Sequence, residues 1–108
     1  MKMYTTPEQT TKLIELGFER PKIAAPALKW VNGEPTFEPQ YTIGELIEFL
    51  PKSLRYTDED WSLSIESDPF LTNLTWWVYY ATSCQTKASE LIDALFDMVV
   101  KLKEEGVI

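Results

Sequence analysis

The stretch from about Lys87 to Glu105 constrains this chain most. At about 100° per residue, Ala88, Leu91, Ile92, Leu95, Met98, Val99 and Leu102 fall on one broad arc. Glu90, Asp93, Asp97 and Glu104 fall opposite it. A helix divided in this way must bury its apolar side against a second layer. Phe96 and Val100, one helical turn apart, widen the arc to about 200°, more than one sheet usually covers. The proline-rich segment earlier in the chain packs on them, or another chain does. Gly106 is placed as the left-handed stop, with Val107 and Ile108 free to fold back onto Leu102.

Two more helices are announced by their first turns. In Thr6-Pro7-Glu8-Gln9 the threonine hydroxyl can accept the free N–H of Gln9 while the Gln9 side chain reaches back. Pro7 suits the first helical position because its missing N–H would be unpaired there anyway. This predicts a helix over about 7–16, with Leu13, Leu16 and Ile14 inward and Gly17 ending it. Thr42-Ile43-Gly44-Glu45 is a second capping box, opening a helix through Leu46, Ile47, Phe49 and Leu50 that stops near Pro51. Lys52-Ser53-Leu54 then reads as a last loose turn.

Strand signals fall between the helices. Prolines recur from Phe18 to Gln40, and inside that stretch Asn32-Gly33 tolerates the positive φ angles of a tight hairpin turn. Pro35 lacks an amide donor, so the second arm reads as a short edge strand. Trp61, Leu63 and Ile65 alternate with Ser62, Ser64 and Glu66, the period-two pattern of a strand with one wet face. A second strand, Leu74 to Thr82, is rich in residues that suit sheets, and the two pair most simply as a hairpin. The expectation is an α+β fold in one domain over 1–108. It is an antiparallel sheet of two hairpins with three helices packed on one face, in the order α-ββ-α-ββ-α.

Charge and composition narrow the function classes. The chain has 108 residues, 44% hydrophobic and 25% charged, enough for one domain with a core of its own. Residues 1–56 are neutral, and the whole net charge of −7 lies in 57–108. A nucleic-acid binder gathers cations on one face, so neither nucleic acid nor anionic lipid is an expected partner. The longest apolar run, Trp76 to Ala81, is far short of the roughly 20 residues of a membrane span. Met1-Lys2-Met3-Tyr4 leads into polar residues without a leader's apolar region. The single cysteine, Cys84, cannot form an internal disulfide, which fits the cytoplasm.

No residue set points to catalysis. Cys84 would need a base or cation to hold a thiolate, and the chain has no histidine. Lys87, if one helical turn further on, is the only nearby cation. Asp58-Glu59-Asp60 lacks the glycine and distant glutamate of a calcium loop. Glu90, Asp93 and Asp97 on one helix face read as a solvated surface. Glycine-rich phosphate loops, G-x-S-x-G and paired cysteines are missing. The expectation is therefore no enzyme, no catalytic residues, no metal and no cofactor.

What remains to be explained is Trp76-Trp77-Val78-Tyr79-Tyr80. Side chains alternate between the two faces of a strand. If Trp76, Val78 and Tyr80 join Trp61, Leu63 and Ile65 against the helices, Trp77 and Tyr79 point the other way, beside Ser62, Ser64 and Glu66. Two large aromatics on a wet face suggest a contact site. The plainer account is that the loop 67–73, carrying Phe70 and Leu71, folds over them. Trp77 and Tyr79, with Phe96 and Val100 as a second patch, are the candidate interaction residues for a homodimer or another protein.

Three stretches also resemble a family of small proteins common in gut Bacteroidetes and often encoded beside phage or mobile-element genes. They are Thr6-Pro7-Glu8-Gln9 through Gly17, Tyr41-Thr42-Ile43-Gly44-Glu45-Leu46 through Lys52, and Leu91-Ile92-Asp93-Ala94 through Ile108. The matching residues are helix caps, stripes and stops, marks of fold rather than of a site. The resemblance implies a bacterial or phage origin and an accessory role, and carries no activity, cofactor or partner. The leading expectation is a non-enzymatic interaction module or homo-oligomer. The alternatives are a small-molecule or peptide binder with its pocket between the proline-rich segment and the sheet, and an acidic antagonist whose last helix imitates nucleic-acid charge.

Overall fold

Both capping boxes form. A computed structural model of the chain describes residues 2–21, 24–31, 33–56, 58–68, 75–81 and 84–108, with 24–31, 34–39, 56 and 68 defined by backbone alone. Helix α1 (Pro7–Glu15) begins where the Thr6 hydroxyl accepts the Gln9 N–H at 3.1 Å and the Gln9 side chain accepts the Thr6 N–H at 2.9 Å. Helix α2 (Ile43–Phe49) repeats this with Thr42 and Glu45, each bond at 3.2 Å. Helix α3 (Leu91–Glu104) ends as the sequence indicates. Gly106 takes φ +76°, its N–H reaches Lys103 O, and the Val107 N–H reaches Leu102 O. Gly17, at φ +96°, closes α1 by the same pair of bonds, to Ile14 O and from Phe18 to Leu13 O.

The class is α+β, with three helices and antiparallel strands. The strands are more numerous than two hairpins. Strands β1 (Ala24–Val31) and β2 (Glu34–Pro39) form the expected proline-rich hairpin around Gly33. After α2 come β3 (Ser53–Tyr56), β4 (Glu59–Ser62), β5 (Ser64–Asp68), β6 (Thr75–Ala81) and β7 (Cys84–Ala88). Among the described residues these make a two-stranded sheet, β3-β4, and a three-stranded sheet, β5-β6-β7.

Three expectations are corrected here. Ser53–Tyr56 is a strand rather than a loose turn. The single strand expected over 61–66 is interrupted at Leu63, where the chain changes partner from β3 to β6. Trp61 therefore lies on the exposed hairpin strand β4, 37% exposed, and not in the core with Ile65. Finally, 84–88 belongs to β7, so α3 starts at Leu91 rather than near Lys87.

The core is one cluster around α3, which packs on β6 and β7 and against α2. Val78, Tyr80 and Cys84 from the sheet meet Ile92, Leu95, Met98, Val99 and Leu102 of α3, with Leu13 of α1 and Leu46 of α2. Thr86 fastens sheet to helix by donating its hydroxyl to Ala94 O at 2.7 Å. Tyr80 donates to Pro51 O at 2.6 Å, tying β6 to the chain between α2 and β3.

A chain of hydroxyls joins α1 to the start of α2. The Tyr41 N–H donates to Thr5 Oγ1, which lies 2.7 Å from Thr10 Oγ1, and Thr10 donates to Thr6 O. Buried polar groups satisfied in sequence like this fix one arrangement of the two segments.

Candidate interaction face

Register decides which aromatics face outward. Within β5-β6-β7, Glu66 lies opposite Trp77 and Trp77 opposite Lys87. The next outward-facing row is Ser64, Tyr79 and Gln85. Alternation then sends Val78 and Tyr80 inward, where they are 0% and 2% exposed, and Trp77 and Tyr79 to the opposite face. Trp76 points inward too, and its buried indole N–H has no acceptor among the described residues.

Both outward aromatics are partly buried, and the polar contacts they make come from within the face. The Lys87 ammonium lies 5.3 Å from the Trp77 ring centre, a cation–π contact. The Tyr79 hydroxyl donates to Glu66 Oε1 at 2.8 Å. That bond, helped by slight desolvation and by the Glu66 charge, holds the Tyr79 phenol above its ordinary pKa. The face is thus a pre-arranged patch: acid on one side, two rings along the middle strand, a cation on the other. Residues 69–74, most of the loop expected to cover these rings, lie outside the described residues.

Phe96 and Val100 are placed elsewhere. Both are partly buried on α3 and packed against the core. Their flank of the helix lies beside α1, because Asp93 accepts from Gln9 at 2.9 Å and Glu104 pairs with Lys12 at 3.6 Å. At α1's far end the Lys103 ammonium lies 5.5 Å from the Phe18 ring centre. Phe96 and Val100 therefore sit on the α1 side of α3, remote in the fold from the Trp77–Tyr79 face.

The acidic face of α3 also has structural partners. Glu90 accepts the backbone N–H of Lys2 at 2.9 Å, and the Lys2 ammonium reaches Asp93 at 2.8 Å. Partial burial opposes ionisation of Asp93, yet the hydrogen bonds from Lys2 and Gln9 and the Lys2 charge outweigh it and lower its pKa. At Asp97, desolvation and then the Asp93 charge act in one direction and raise it.

Cys84 is fully buried, and because 84–88 is a strand, Lys87 projects from the opposite face. The sequence suggestion that Lys87 could activate Cys84 is therefore corrected by geometry. Asp58, Glu59 and Asp60 are exposed on the β3-β4 hairpin, and no cluster of three or more metal-ligating side chains forms among the described residues.

A cavity of about 390 Å³ opens between α2 and the chain just after α1, Gly17 to Arg20. Phe18 and Phe49, 4.8 Å between centres, give it two rings, and Glu19, Glu45, Glu48 and Arg20 line the rest. Tyr41 braces Phe49 edge-on at 5.5 Å and donates its hydroxyl to Glu19 O. Aromatic faces with carboxylates around them suit a small organic cation.

Among the described residues no helix is long and apolar enough to cross a membrane. Comparison with protein-family models, curated proteins and solved structures finds no match to the chain.

Proposed function

We propose that this chain is a non-enzymatic accessory protein of bacterial or phage origin that acts in the cytoplasm by binding another protein chain. Its contact surface is the outer face of β5-β6-β7, with Trp77 and Tyr79 as the anchors. One observation carries the reading: the register lines up Glu66, Trp77 and Lys87 across three strands on the side away from the core.

Physical chemistry supports it. Trp and Tyr dominate binding energy at interfaces because they bring large apolar area with few rotatable bonds. Here they stand on the middle strand of a sheet, held by Lys87 and Glu66, so little side-chain freedom remains to be lost on binding.

A photo-crosslinking amino acid at Ser64, within the face, tests this against one at Glu15 on exposed α1. Adducts from position 64 and none from position 15 are expected. Equal labelling, or none from 64, contradicts the reading.

The cavity at Phe18 and Phe49 favours a second function, binding of a small organic cation. Benzamidine at millimolar concentration would then shift the Phe49 ring resonances, and Phe49→Leu would weaken the effect. Unmoved Phe49 signals remove this reading.

A further inference from the structure

We infer that the partner on this face is a second copy of the chain, seated face to face about a twofold axis that runs parallel to β6. The inference rests on the proposal that the Trp77–Tyr79 face is a contact surface, and it names the occupant from the charges on that face.

Neighbouring strands lie about 4.8 Å apart, so Glu66 and Lys87 stand on the two sides of Trp77, one strand away each. A half-turn about an axis along β6 exchanges left and right. It sets Glu66 of each copy over Lys87 of the other and brings Trp77 against Trp77. Ser64 then meets Gln85, and Tyr79 lies by its own equivalent. An axis across the strands would instead lay β5 on β5 and bring the two Glu66 carboxylates together. The charge order of the row therefore selects one of the two in-plane axes. The chosen axis also keeps the strands nearly aligned, the usual geometry for two packed sheets about 10 Å apart.

In the single chain, Lys87 meets a ring and Glu66 a phenol hydroxyl. Neither has an ion-pair partner among the described residues, and the second copy supplies one to each.

The same geometry limits the affinity. Three strands about 4.8 Å apart and about five residues long give a face of roughly 14 by 17 Å. That is well under the roughly 800 Å² per partner of a stable interface. Two chains of net charge −7 also repel at long range. The dimer is consequently weak and dissociates on dilution, in the range of tens of micromolar or above.

Sedimentation equilibrium of the full chain from about 5 to 500 µM, at fixed 0.15 M salt, tests the inference. The expected mass climbs from 12.5 kDa towards twice that value. Glu66→Lys and Lys87→Glu should each weaken association about tenfold or more, by setting like charges opposite one another. The double charge reversal E66K/K87E should restore it to within about threefold. Far-UV circular dichroism of each variant confirms that it is folded. A wild-type mass fixed at 12.5 kDa overturns the second copy as partner. Association that survives every variant, or that the double reversal does not rescue, overturns the proposed axis. If the chain stays monomeric yet Ser64 crosslinks to a different protein, the contact face stands and only its occupant is wrong. If neither occurs, both fail.

Discussion

Removing the hydroxyl of Tyr80 should destabilise the protein at neutral pH and stop doing so near pH 11. Tyr80 is 2% exposed and donates to Pro51 O at 2.6 Å. Tyr80→Phe keeps the ring and removes this bond, leaving a carbonyl without that donor, a loss of about 1–1.5 kcal/mol. Burial, with a smaller contribution from Cys84, pushes the Tyr80 phenol up to about 12. An unfolded tyrosine ionises near pH 10. Because the folded value is the higher one, the stabilisation is complete below about pH 10 and is lost as pH rises towards 12. Linkage puts that loss at about 1.4 kcal/mol by pH 11 and about 2.7 kcal/mol at its limit.

The phenylalanine variant has no such term, so the gap between the two proteins should close near pH 11 and then invert. Urea unfolding followed by circular dichroism at pH 7, 9, 10 and 11 reads this directly. Tyr41, also raised by burial, is common to both proteins and cancels in the difference. A gap that stays constant from pH 7 to 11 would refute the link between Tyr80 burial and alkaline stability.

Three further outcomes follow from the same geometry. Asp93→Asn should lower stability at pH 7 by about 0.5–1.5 kcal/mol; because the folded pKa is depressed, the deficit should shrink as pH falls through the carboxylate range below about 4. Asp97→Asn should do the opposite, raising stability at pH 7 by a few tenths of a kcal/mol after solvent screening, with the gain vanishing at pH 3 because the raised carboxyl is then neutral in both states. Thr42→Ala should cost about 1 kcal/mol in urea unfolding through loss of the α2 cap, and Thr42→Ser should recover most of it.

Local chemistry was legible in the sequence wherever the cause was local. Thr6 with Gln9, Thr42 with Glu45, Gly17 and Gly106 act within one turn, and each sits where its spacing placed it. The outward aspect of Trp77 and Tyr79 also followed from alternation alone. The errors arose where partner choice decides. Ala88 continues the apolar spacing of α3, but pairing of Lys87 with Trp77 and of Ala88 with Trp76 makes both strand residues. The alternation through Trp61 and Ile65 is real, yet the chain changes partner at Leu63 and leaves Trp61 exposed. Lys2 reaching Glu90 and Asp93, and Tyr80 reaching Pro51, join residues far apart in sequence, which no window of local pattern contains.

Self-association through the contact face is tested most directly by fluorine NMR of protein labelled with 5-fluorotryptophan. Four resonances arise from Trp30, Trp61, Trp76 and Trp77, with Trp77 assigned by Trp77→Phe. From 5 to 500 µM the Trp77 resonance should move with concentration while the exposed Trp61 resonance stays in place. A fixed Trp77 signal, or a moving Trp61 signal beside it, contradicts the account.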